Sequence, residues 1–460
     1  MIESLLPVLP SERASRTIYT LLPVLLFAGL VLSCSPSSPE GASDSEAPPN
    51  VLLIISDDQG YGDFGFMGHP HIETPHLDRL AAQSLTFTHG YVTAPLCSPS
   101  LASLATGLYP HQHKITGNDP EFAFEGERYS DAWLVERQSH FDSLRTPFYA
   151  HPTLPERLEA EGYRSFQSGK WWLGPPERAG FDRGMTHADP ERGGRHGDEG
   201  LKIGRETMTP LYRFIDASVR QDAPFFLWYA PFLPHSPHTP PDSLLQKYVD
   251  EAPTEAVARY WAMCEWFDQT TGELLDYLER NGLSQNTLVL FVVDNGWVQD
   301  PDRRGRYEEG SKRAPYEEGI RTPIMVRWPG HVEPNLDSTT FVSAVDLAPT
   351  ILQAAGIQPD ESLPGINLMD SVARAEREYL FAEDYAHDIP SVERPTQGLQ
   401  HSVVLRAPWK LIVPDSTNRP DAEPQLYHLF EDPTETRNRA EDHPETRREL
   451  RNALEAWRSR

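Results

Sequence analysis

The amino-acid sequence predicts an α/β protein with a mostly parallel central sheet between layers of helices. Short apolar runs, typical of strands buried on both faces, alternate along the chain with segments of helical periodicity. Several of these runs end in polar residues, and parallel sheets place their ligand sites at the carboxyl ends of the strands. We predict a large domain over 50–375 and, where the pattern changes, a smaller α+β subdomain over 376–460.

The first 34 residues have the features of an export signal. A basic start precedes a mostly apolar stretch, 18–32, which ends in Val31-Leu32-Ser33-Cys34 and so resembles a bacterial lipobox. The alternative is an uncleaved membrane anchor, but the stretch is shorter than the roughly 20 apolar residues that span a bilayer. We therefore expect a lipoprotein-type signal peptide over 1–34 and a flexible tether over 35–49. The protein would then be exported and anchored to a bacterial membrane by lipid on Cys34, in the periplasm or on the cell surface.

The large domain contains strands predicted from apolar runs at 50–56, 224–232, 288–293 and 324–328. Helices are predicted at 74–84, 258–278 and 346–355. Thr74-Pro75 suits the first turn of a helix, and Asn281-Gly282 suits the end of one.

The smaller subdomain is predicted to contain short strands at 403–413 and 425–429 and a terminal amphipathic helix at 445–457. The segment 121–148 fits neither period and is interpreted as an inserted surface segment. Together with 184–204, it is the segment most suited to determine ligand specificity, since specificity usually resides in loops around a site.

The charge balance excludes one class of partner. Lys and Arg total 41 against 68 Asp and Glu, which gives a formal net charge of -27. Nucleic-acid binding depends largely on cations that meet phosphates, so nucleic acid is not an expected partner. An anionic substrate would need a local cationic pocket, because the overall field repels it.

Two pairs of oxygen-bearing residues follow separate predicted strands. Asp57 and Asp58 come directly after the first strand, and Asp294 and Asn295 come after the third. Oxygen donors of this kind suit a hard divalent cation such as calcium or magnesium. Each pair alone could equally be a turn or a helix cap. Their matching positions at strand ends favour metal binding.

Cys97 lies where a loop is predicted to turn into a helix. A nucleophile at a helix N-terminus gains from the positive end of the helix dipole, although a buried structural cysteine is the alternative. Lys170, His235 and Lys312 are candidates to bind an oxyanion or to protonate a leaving group. A lone lysine is more often a solvated surface residue, but the Gly-Lys-Trp-Trp-Leu-Gly context of Lys170 predicts partial burial.

These motifs, in their order, resemble the sulfatase family, the formylglycine-dependent type I enzymes of the alkaline-phosphatase-like superfamily. The similar segments are Ser-Asp-Asp-Gln-Gly-Tyr-Gly-Asp at 56–63, Ala-Pro-Leu-Cys-Ser-Pro-Ser at 94–100, Gly-Lys-Trp at 169–171, Val-Asp-Asn-Gly at 293–296 and Leu-Tyr-His-Leu-Phe-Glu-Asp-Pro at 426–433. The resemblance covers nearly all of the chain after the signal segment. It implies the superfamily fold and a sulfuric ester hydrolase that acts on a sulfated carbohydrate or an aryl sulfate.

The resemblance also implies a mechanism. In that family a formylglycine-generating enzyme oxidises the cysteine of this loop, and the hydrate of the resulting formylglycine attacks sulfur while a calcium ion holds the sulfate. By position, Cys97 would be the precursor of the nucleophile and a metal ligand. The other implied metal ligands are Asp57, Asp58, Asp294 and Asn295. The groups implied to hold sulfate oxygens and the leaving group are Lys170, His235 and Lys312.

Two positions depart from the family pattern. Leu101 occupies the position of an arginine that helps the modifying enzyme and holds the formylglycine, and Trp172 occupies the position of a histidine that acts as a base. Neither Leu nor Trp can replace these functions. Two alternatives therefore stay open: an impaired sulfatase-like protein that binds sulfated glycans, and a phosphate or phosphonate ester hydrolase that uses the unmodified thiol. If other residues perform the two missing functions, His238 and Arg321 are the nearest candidates by sequence.

Overall fold

The computed structural model describes residues 47–186 and 199–459. The predicted signal peptide, most of the predicted tether and much of the predicted loop at 184–204 lie outside these residues. Within the described ranges, every helix is too short or too polar to cross a membrane.

The strands and helices follow one another along the chain. The strands are β1 (Asn50–Ser56), β2 (Leu85–Tyr91), β3 (Asp119–Pro120), β4 (Arg164–Gly169), β5 (Arg183–Gly184), β6 (Phe225–Ala230), β7 (Thr287–Val293), β8 (Arg321–Arg327), β9 (Asn335–Ser343), β10 (Leu380–Tyr385), β11 (Asp388–Ile389), β12 (Leu399–Arg406), β13 (Trp409–Pro414) and β14 (Gln425–His428). The α-helices are α1 (Pro75–Ala82), α2 (Cys97–Thr106), α3 (Pro110–His113), α4 (Asp131–Arg145), α5 (Leu154–Glu159), α6 (Thr209–Arg220), α7 (Asp242–Tyr248), α8 (Glu255–Arg280), α9 (Glu317–Ile320), α10 (Leu347–Ala354), α11 (Ser371–Glu376) and α12 (Pro444–Arg458).

The large sheet has eight strands in the order β5-β4-β6-β1-β7-β8-β2-β9. All pairs are parallel except those that β8 makes with β7 and β2. Successive residues of β1 point to opposite faces, where Val51 and Leu53 join one apolar core and Leu52 and Ile54 join another. Helices α2, α5 and α10 contribute to the first core, and α1, α6 and α8 contribute to the second. This arrangement confirms the predicted α/β fold.

Several strands that the sequence did not reveal are buried but polar. β2 reads Leu-Thr-Phe-Thr-His-Gly-Tyr and is buried at every position, and β4 reads Arg-Ser-Phe-Gln-Ser-Gly. Their hydroxyl and amide groups are satisfied inside the protein; Ser168 Oγ, for example, donates to the carbonyl oxygen of Trp228 at 2.8 Å. Strands of this kind lack the apolar run on which the prediction relied.

The segment 121–148 contains a helix, α4, which the sequence did not predict. Ser130 caps its N-terminus by accepting a hydrogen bond from the backbone N–H of Trp133 at 3.3 Å. Only a few of its side chains are buried, among them Phe141 and Leu144. The apolar stripe of α4 is therefore too sparse to show a clear helical period.

A second, antiparallel sheet, β10-β12-β13-β14, forms the C-terminal subdomain. α12 packs on it through Leu450 and Leu454, which contact an apolar cluster that includes Val404 and Leu411. The segment predicted as a strand over 403–413 is a hairpin, because a turn at Ala407-Pro408 separates β12 from β13. These elements confirm the predicted α+β character of the subdomain.

Candidate functional site

The site lies where β1 and β7 end side by side. The two strands are parallel, with Ser56 opposite Val293, so the residues that come after them meet at one edge of the sheet. The backbone N–H of Asp58 donates to Asp294 Oδ1 at 3.0 Å, and Asn295 Nδ2 donates to Asp58 Oδ1 at 2.8 Å. The structure therefore brings together both polar pairs that the sequence placed after separate strands.

The donor set at this edge fits a divalent cation. Ligand atoms of Asp57, Asp58, Cys97 and Asp294 all lie within 4.8 Å of one another. Asp57 Oδ2 and Asn295 Oδ1 are buried, and neither has a hydrogen-bond partner among the described residues. Leaving a buried oxygen unsatisfied is costly, and carboxylate and amide oxygens are the ligands of calcium and magnesium.

Cys97 is the first residue of α2 and is fully buried. Its Sγ lies 3.2 Å from Lys312 Nζ and 3.9 Å from Asp58 Oδ1. Burial raises the pKa of the Cys97 thiol to about 12, although the nearby ammonium groups act in the opposite direction. The next residue, Ser98, donates its backbone N–H to Asn118 Oδ1 at 2.9 Å, which fixes the start of the helix.

Lys170 enters the site because β4 ends in a glycine. Gly169 has a φ of 75°, and a Cβ atom there would collide with the carbonyl oxygen of Ala230. The turn directs the fully buried Lys170 side chain to Asp57, with which it forms an ion pair, and to Asp294 Oδ2 at 2.9 Å. Burial alone would lower the pKa of Lys170, but the carboxylates of Asp294 and Asp57 raise it well above the ordinary value.

Lys312 binds the other side of the cluster. Its Nζ lies 2.6 and 2.7 Å from the two carboxylate oxygens of Asp58. Burial opposes ionisation of Asp58, but Lys312, followed by His235, outweighs it and lowers the pKa of Asp58 below its usual range. Burial has the larger effect on the other two carboxyl groups and raises the pKa of Asp57 and of Asp294 to about 6. Three carboxyl groups thus face two ammonium groups, so the cluster can accept further positive charge, such as that of a metal ion.

His235 faces the same cluster from the loop after β6. Its Nε2 lies 3.6 Å from Asp58 Oδ2, and its Nδ1 donates to the carbonyl oxygen of Ser236 at 2.6 Å. Burial lowers the pKa of His235 to about 4. Arg205 holds this loop by donating to the carbonyl oxygens of Phe232, at 2.6 Å, and of His235, at 3.1 Å.

Arg205 and Asn118 support the site, and sequence reasoning missed both. Each acts on backbone groups far away along the chain, and neither lies in one of the similar motifs. Arg205 directly follows the segment 184–204, which was proposed as a specificity loop. This position was the one sequence feature that could have pointed to Arg205 as a site residue.

The two departures from the family pattern have different surroundings. Leu101 lies one turn after Cys97 on α2 and is fully buried in the apolar core. The Trp172 ring packs in an apolar cluster with Cys97 and Phe232, and Lys170 Nζ lies 4.4 Å from its centroid. Trp172 therefore presents a π face to an ammonium group, which is a stabilising arrangement but supplies no base.

The two residues suggested as replacements are engaged in other contacts. Arg321 pairs with Glu317 at 3.6 Å and donates through Nε to the carbonyl oxygen of Thr88 at 2.8 Å. His238 is buried beside Tyr260, with the ring centroids 5.5 Å apart. Arg321 is thus held by Glu317 and by the backbone of β2. His238 lies near enough to the cluster for His235 and Asp58 to affect its pKa, which burial lowers to about 4.

The chain matches two family models. The family described as Sulfatase matches residues 49–357, and the family described as N-sulphoglucosamine sulphohydrolase, C-terminal, matches residues 305–460. The chain is 32% identical over 370 residues to the N-acetylgalactosamine-6-sulfatase of Homo sapiens, covering 72% of this chain and 67% of that one. It is 25% identical over 547 residues to the N-acetylgalactosamine-6-O-sulfatase of Bacteroides thetaiotaomicron, covering 97% of this chain and 100% of that one.

Solved structures share the fold. The PsFucS1 sulfatase from Pseudoalteromonas sp. matches with a TM-score of 0.67 at 20% identity, covering 90% of this chain and 90% of that one. The phosphonate monoester hydrolase of Agrobacterium radiobacter matches with a TM-score of 0.64 at 21% identity, covering 89% of this chain and 95% of that one. At these identities the likeness shows the fold alone.

Proposed function

The chain belongs to the sulfatase family and is a sulfuric ester hydrolase, and on that premise we propose that it removes the 6-sulfate of N-acetylgalactosamine in a sulfated glycan. The names of two relatives support this substrate class. The observation that carries the proposal is the cluster itself, in which Lys312 Nζ lies 3.2 Å from Cys97 Sγ and 2.6 Å from an Asp58 carboxylate oxygen.

We propose that Cys97 is converted to formylglycine by a formylglycine-generating enzyme and that its hydrate attacks the sulfur atom. Lys170 and Lys312 would hold sulfate oxygens and offset the negative charge that develops during transfer. His235 Nε2, which faces the cluster, would bind the leaving oxygen of the sugar. The buried surroundings strengthen these interactions because water is excluded from the site.

We propose calcium, with magnesium as the alternative, as the metal of this site. The residues that would hold it are Asp57, Asp58, Asp294 and Asn295, with the oxidised Cys97 side chain. When bound, the metal supplies positive charge to the sulfate oxygens. The buried oxygens of Asp57 and Asn295 that lack hydrogen-bond partners within the described residues support this assignment.

Leu101 and Trp172 limit how efficiently this chemistry can proceed. A sulfated hydrate breaks down when a base removes a proton from it, and Trp172 has no basic atom. Leu101 offers no donor to the formylglycine or to the modifying enzyme. We therefore propose a sulfatase whose second half-reaction, release of sulfate from the enzyme, is slow.

Peptide mass spectrometry across Cys97, combined with an assay for inorganic sulfate, tests the proposal. We expect formylglycine at position 97 and release of sulfate from N-acetylgalactosamine 6-sulfate. A free thiol together with hydrolysis of a phosphonate monoester would instead establish the thiol-dependent alternative. A free thiol with binding of sulfated glycans and no turnover would establish the binding protein.

We also propose that the chain is exported and held at a bacterial membrane by lipid on Cys34. The apolar stretch and the lipobox-like tetrapeptide support this location. Metabolic labelling with a radioactive fatty acid should mark the native chain and leave Cys34→Ala unlabelled. A native chain without label would contradict the lipid anchor.

A further inference from the structure

A groove of ≈ 770 Å³ lies between α4 and the short β3–β11 pair. This volume falls within the range of about 300–1,000 Å³ that small-molecule sites occupy. One wall is aromatic and contains Phe122, Tyr129 and Trp133. The rest of the lining is polar and includes Asp119, Glu121, His387 and Asp388. An apolar wall that faces a few polar groups is the usual construction of a ligand site.

Tyr129 is unusual in both exposure and backbone conformation. Its side chain is 69% exposed, and its ring lies against Trp133 with the centroids 4.9 Å apart. Its φ of 70° is a conformation that costs free energy for a residue other than glycine. A large aromatic ring held open to solvent on a fixed neighbour offers a flat platform to a ligand.

Arg128 supplies a positive charge beside this platform. Its guanidinium carbon lies over part of the Tyr129 ring, 5.2 Å from the ring centre, and among the described residues it forms no ion pair with a carboxylate. Arg137, by contrast, pairs with Asp119 at 2.7 Å. In a chain with a net charge of -27, an arginine without a carboxylate partner in the described part of the structure is well suited to an anionic ligand.

The groove is connected to the active centre through Asn118. Asn118 Oδ1 accepts from the backbone N–H of Ser98, the residue after Cys97, at 2.9 Å. Asn118 Nδ2 lies 3.4 Å from Nε2 of His387, which lines the groove. The other end of α4 is also attached to the centre, since Arg145 donates to the carbonyl oxygen of Trp172 at 3.4 Å. A ligand in the groove therefore sits one side chain away from the loop that carries Cys97.

We propose that this groove is a sugar subsite that binds the uronic acid unit next to the sulfated sugar. The apolar C–H face of the sugar ring would pack against the exposed part of the Tyr129 ring, and its carboxylate would pair with Arg128. Asp119 would accept a hydrogen bond from one of its hydroxyl groups, whereas both ring nitrogens of His387 are held by Asp388 and Asn118. The assignment of the neighbouring unit rests on the proposed function, whereas binding of an acidic sugar in the groove does not.

The test compares a short and a long ligand. The long ligand is a tetrasaccharide that alternates N-acetylgalactosamine 6-sulfate with glucuronic acid, and the short one is N-acetylgalactosamine 6-sulfate alone. We expect Tyr129→Ala to raise KM for the tetrasaccharide about fivefold to tenfold and to leave KM for the monosaccharide unchanged. Arg128→Gln should raise the tetrasaccharide KM about threefold to fivefold, and high salt should reduce this difference.

Control variants distinguish loss of the subsite from nonspecific effects of a substitution on folding or charge. Tyr129→Phe keeps the ring and should retain wild-type KM. Val135→Ala removes an exposed side chain from the same helix, and Arg448→Gln removes one positive charge from the distant helix α12. Both should behave as wild type with either ligand.

Binding without turnover distinguishes failure of the subsite from failure of the proposed function. Calorimetry on Cys97→Ser gives the Kd for the tetrasaccharide, and Tyr129→Ala in that background should weaken it about fivefold to tenfold. This result would support the groove even if no substrate released sulfate. An unchanged Kd, no measurable binding of the tetrasaccharide, or an equal loss for both ligands would overturn the inference.

Discussion

The ammonium nitrogen of Lys170 lies 4.4 Å from the centre of the Trp172 indole ring. Both residues are almost completely buried, so the cation meets the ring face without competing water. The same Lys170 also pairs with Asp57 and Asp294. Trp172 thus stabilises the positive charge of Lys170. It does so at a position where the family pattern has a base, so the buried cluster has no proton acceptor at position 172.

Metal addition should stabilise the protein, because an ion that binds only the folded state shifts the unfolding equilibrium. At one hundred times Kd the expected gain in the free energy of unfolding is about 2.7 kcal/mol. Thermal unfolding with and without calcium or magnesium measures it, and chelation should reverse it. Asp294→Ala should abolish the gain, whereas Asp421→Ala, an exposed acid in a loop, should not. A melting temperature indifferent to both ions would contradict the metal site.

Substitutions at two glycines should distinguish the effect of backbone strain on stability from the effect of a displaced Lys170 on activity. Gly169 and Gly162 have nearly equal φ values of 75° and 77°, but only Gly169 has a backbone carbonyl where a Cβ atom would lie. Gly162→Ala should therefore lower the free energy of unfolding by about 1–3 kcal/mol and leave activity intact. Gly169→Ala should cost more and should also lower kcat, because Lys170 would be displaced. Denaturant unfolding and a sulfate-release assay measure the two effects, and equal behaviour of the two variants would contradict this account.

The strand-end pairs were predictable from the sequence because the cause is local. A continuous apolar run predicts β1 and β7, and two neighbouring parallel strands bring the residues after their carboxyl ends to the same edge. The buried polar strands β2 and β4 were not predictable in this way, because Thr, His, Ser and Gln interrupt the apolar run on which the prediction depends. Asn118 and Arg205 were missed for another reason: they act on the backbone of Ser98 and His235, which are distant from them in sequence.

The C-terminal subdomain is joined to the large domain through a buried lysine. Lys410 Nζ, fully buried, lies 3.1 Å from Glu317 and 2.8 Å from Glu435. Lys410→Met would leave two facing carboxylates without their cation and should cost about 3–5 kcal/mol of unfolding free energy. Arg451→Met, which breaks an exposed pair with Glu455, should cost no more than about 1 kcal/mol.

The loss in Lys410→Met should depend on pH. Burial already raises the pKa of Glu435, with Lys410 acting against it, so removing Lys410 raises it further. A carboxyl group with a raised pKa binds its proton more tightly when folded, so its destabilising effect is full above the folded pKa and disappears as pH falls to the unfolded value. Denaturant unfolding at pH 8 and pH 5 should show the larger loss at pH 8. A loss independent of pH would mean that packing, not charge, is responsible.

Restoring both missing side chains should increase turnover. Leu101→Arg and Trp172→His together would return a donor beside Cys97 and a base beside Lys170, while the rest of the cluster stays as it is. The two changes must be combined, because residues that act as a unit have strongly non-additive effects. We expect kcat for sulfate release and the formylglycine fraction at position 97 to rise in the double variant more than in either single variant.

The physical risk differs between the two replacements. Trp172→His replaces a buried side chain with a smaller one and leaves a cavity. Truncating a buried Trp to Ala typically lowers the free energy of unfolding by about 3–5 kcal/mol, and we expect a smaller loss here because His fills part of the space. Leu101→Arg places a guanidinium at a fully buried position, which is costly unless an anion lies beside it. Circular dichroism and thermal unfolding of each variant therefore accompany the kinetics. Two results together would contradict the prediction: a double variant that folds but shows no gain in turnover, and a native enzyme that already carries formylglycine and turns over rapidly. They would show that this site does not require the arginine and the histidine.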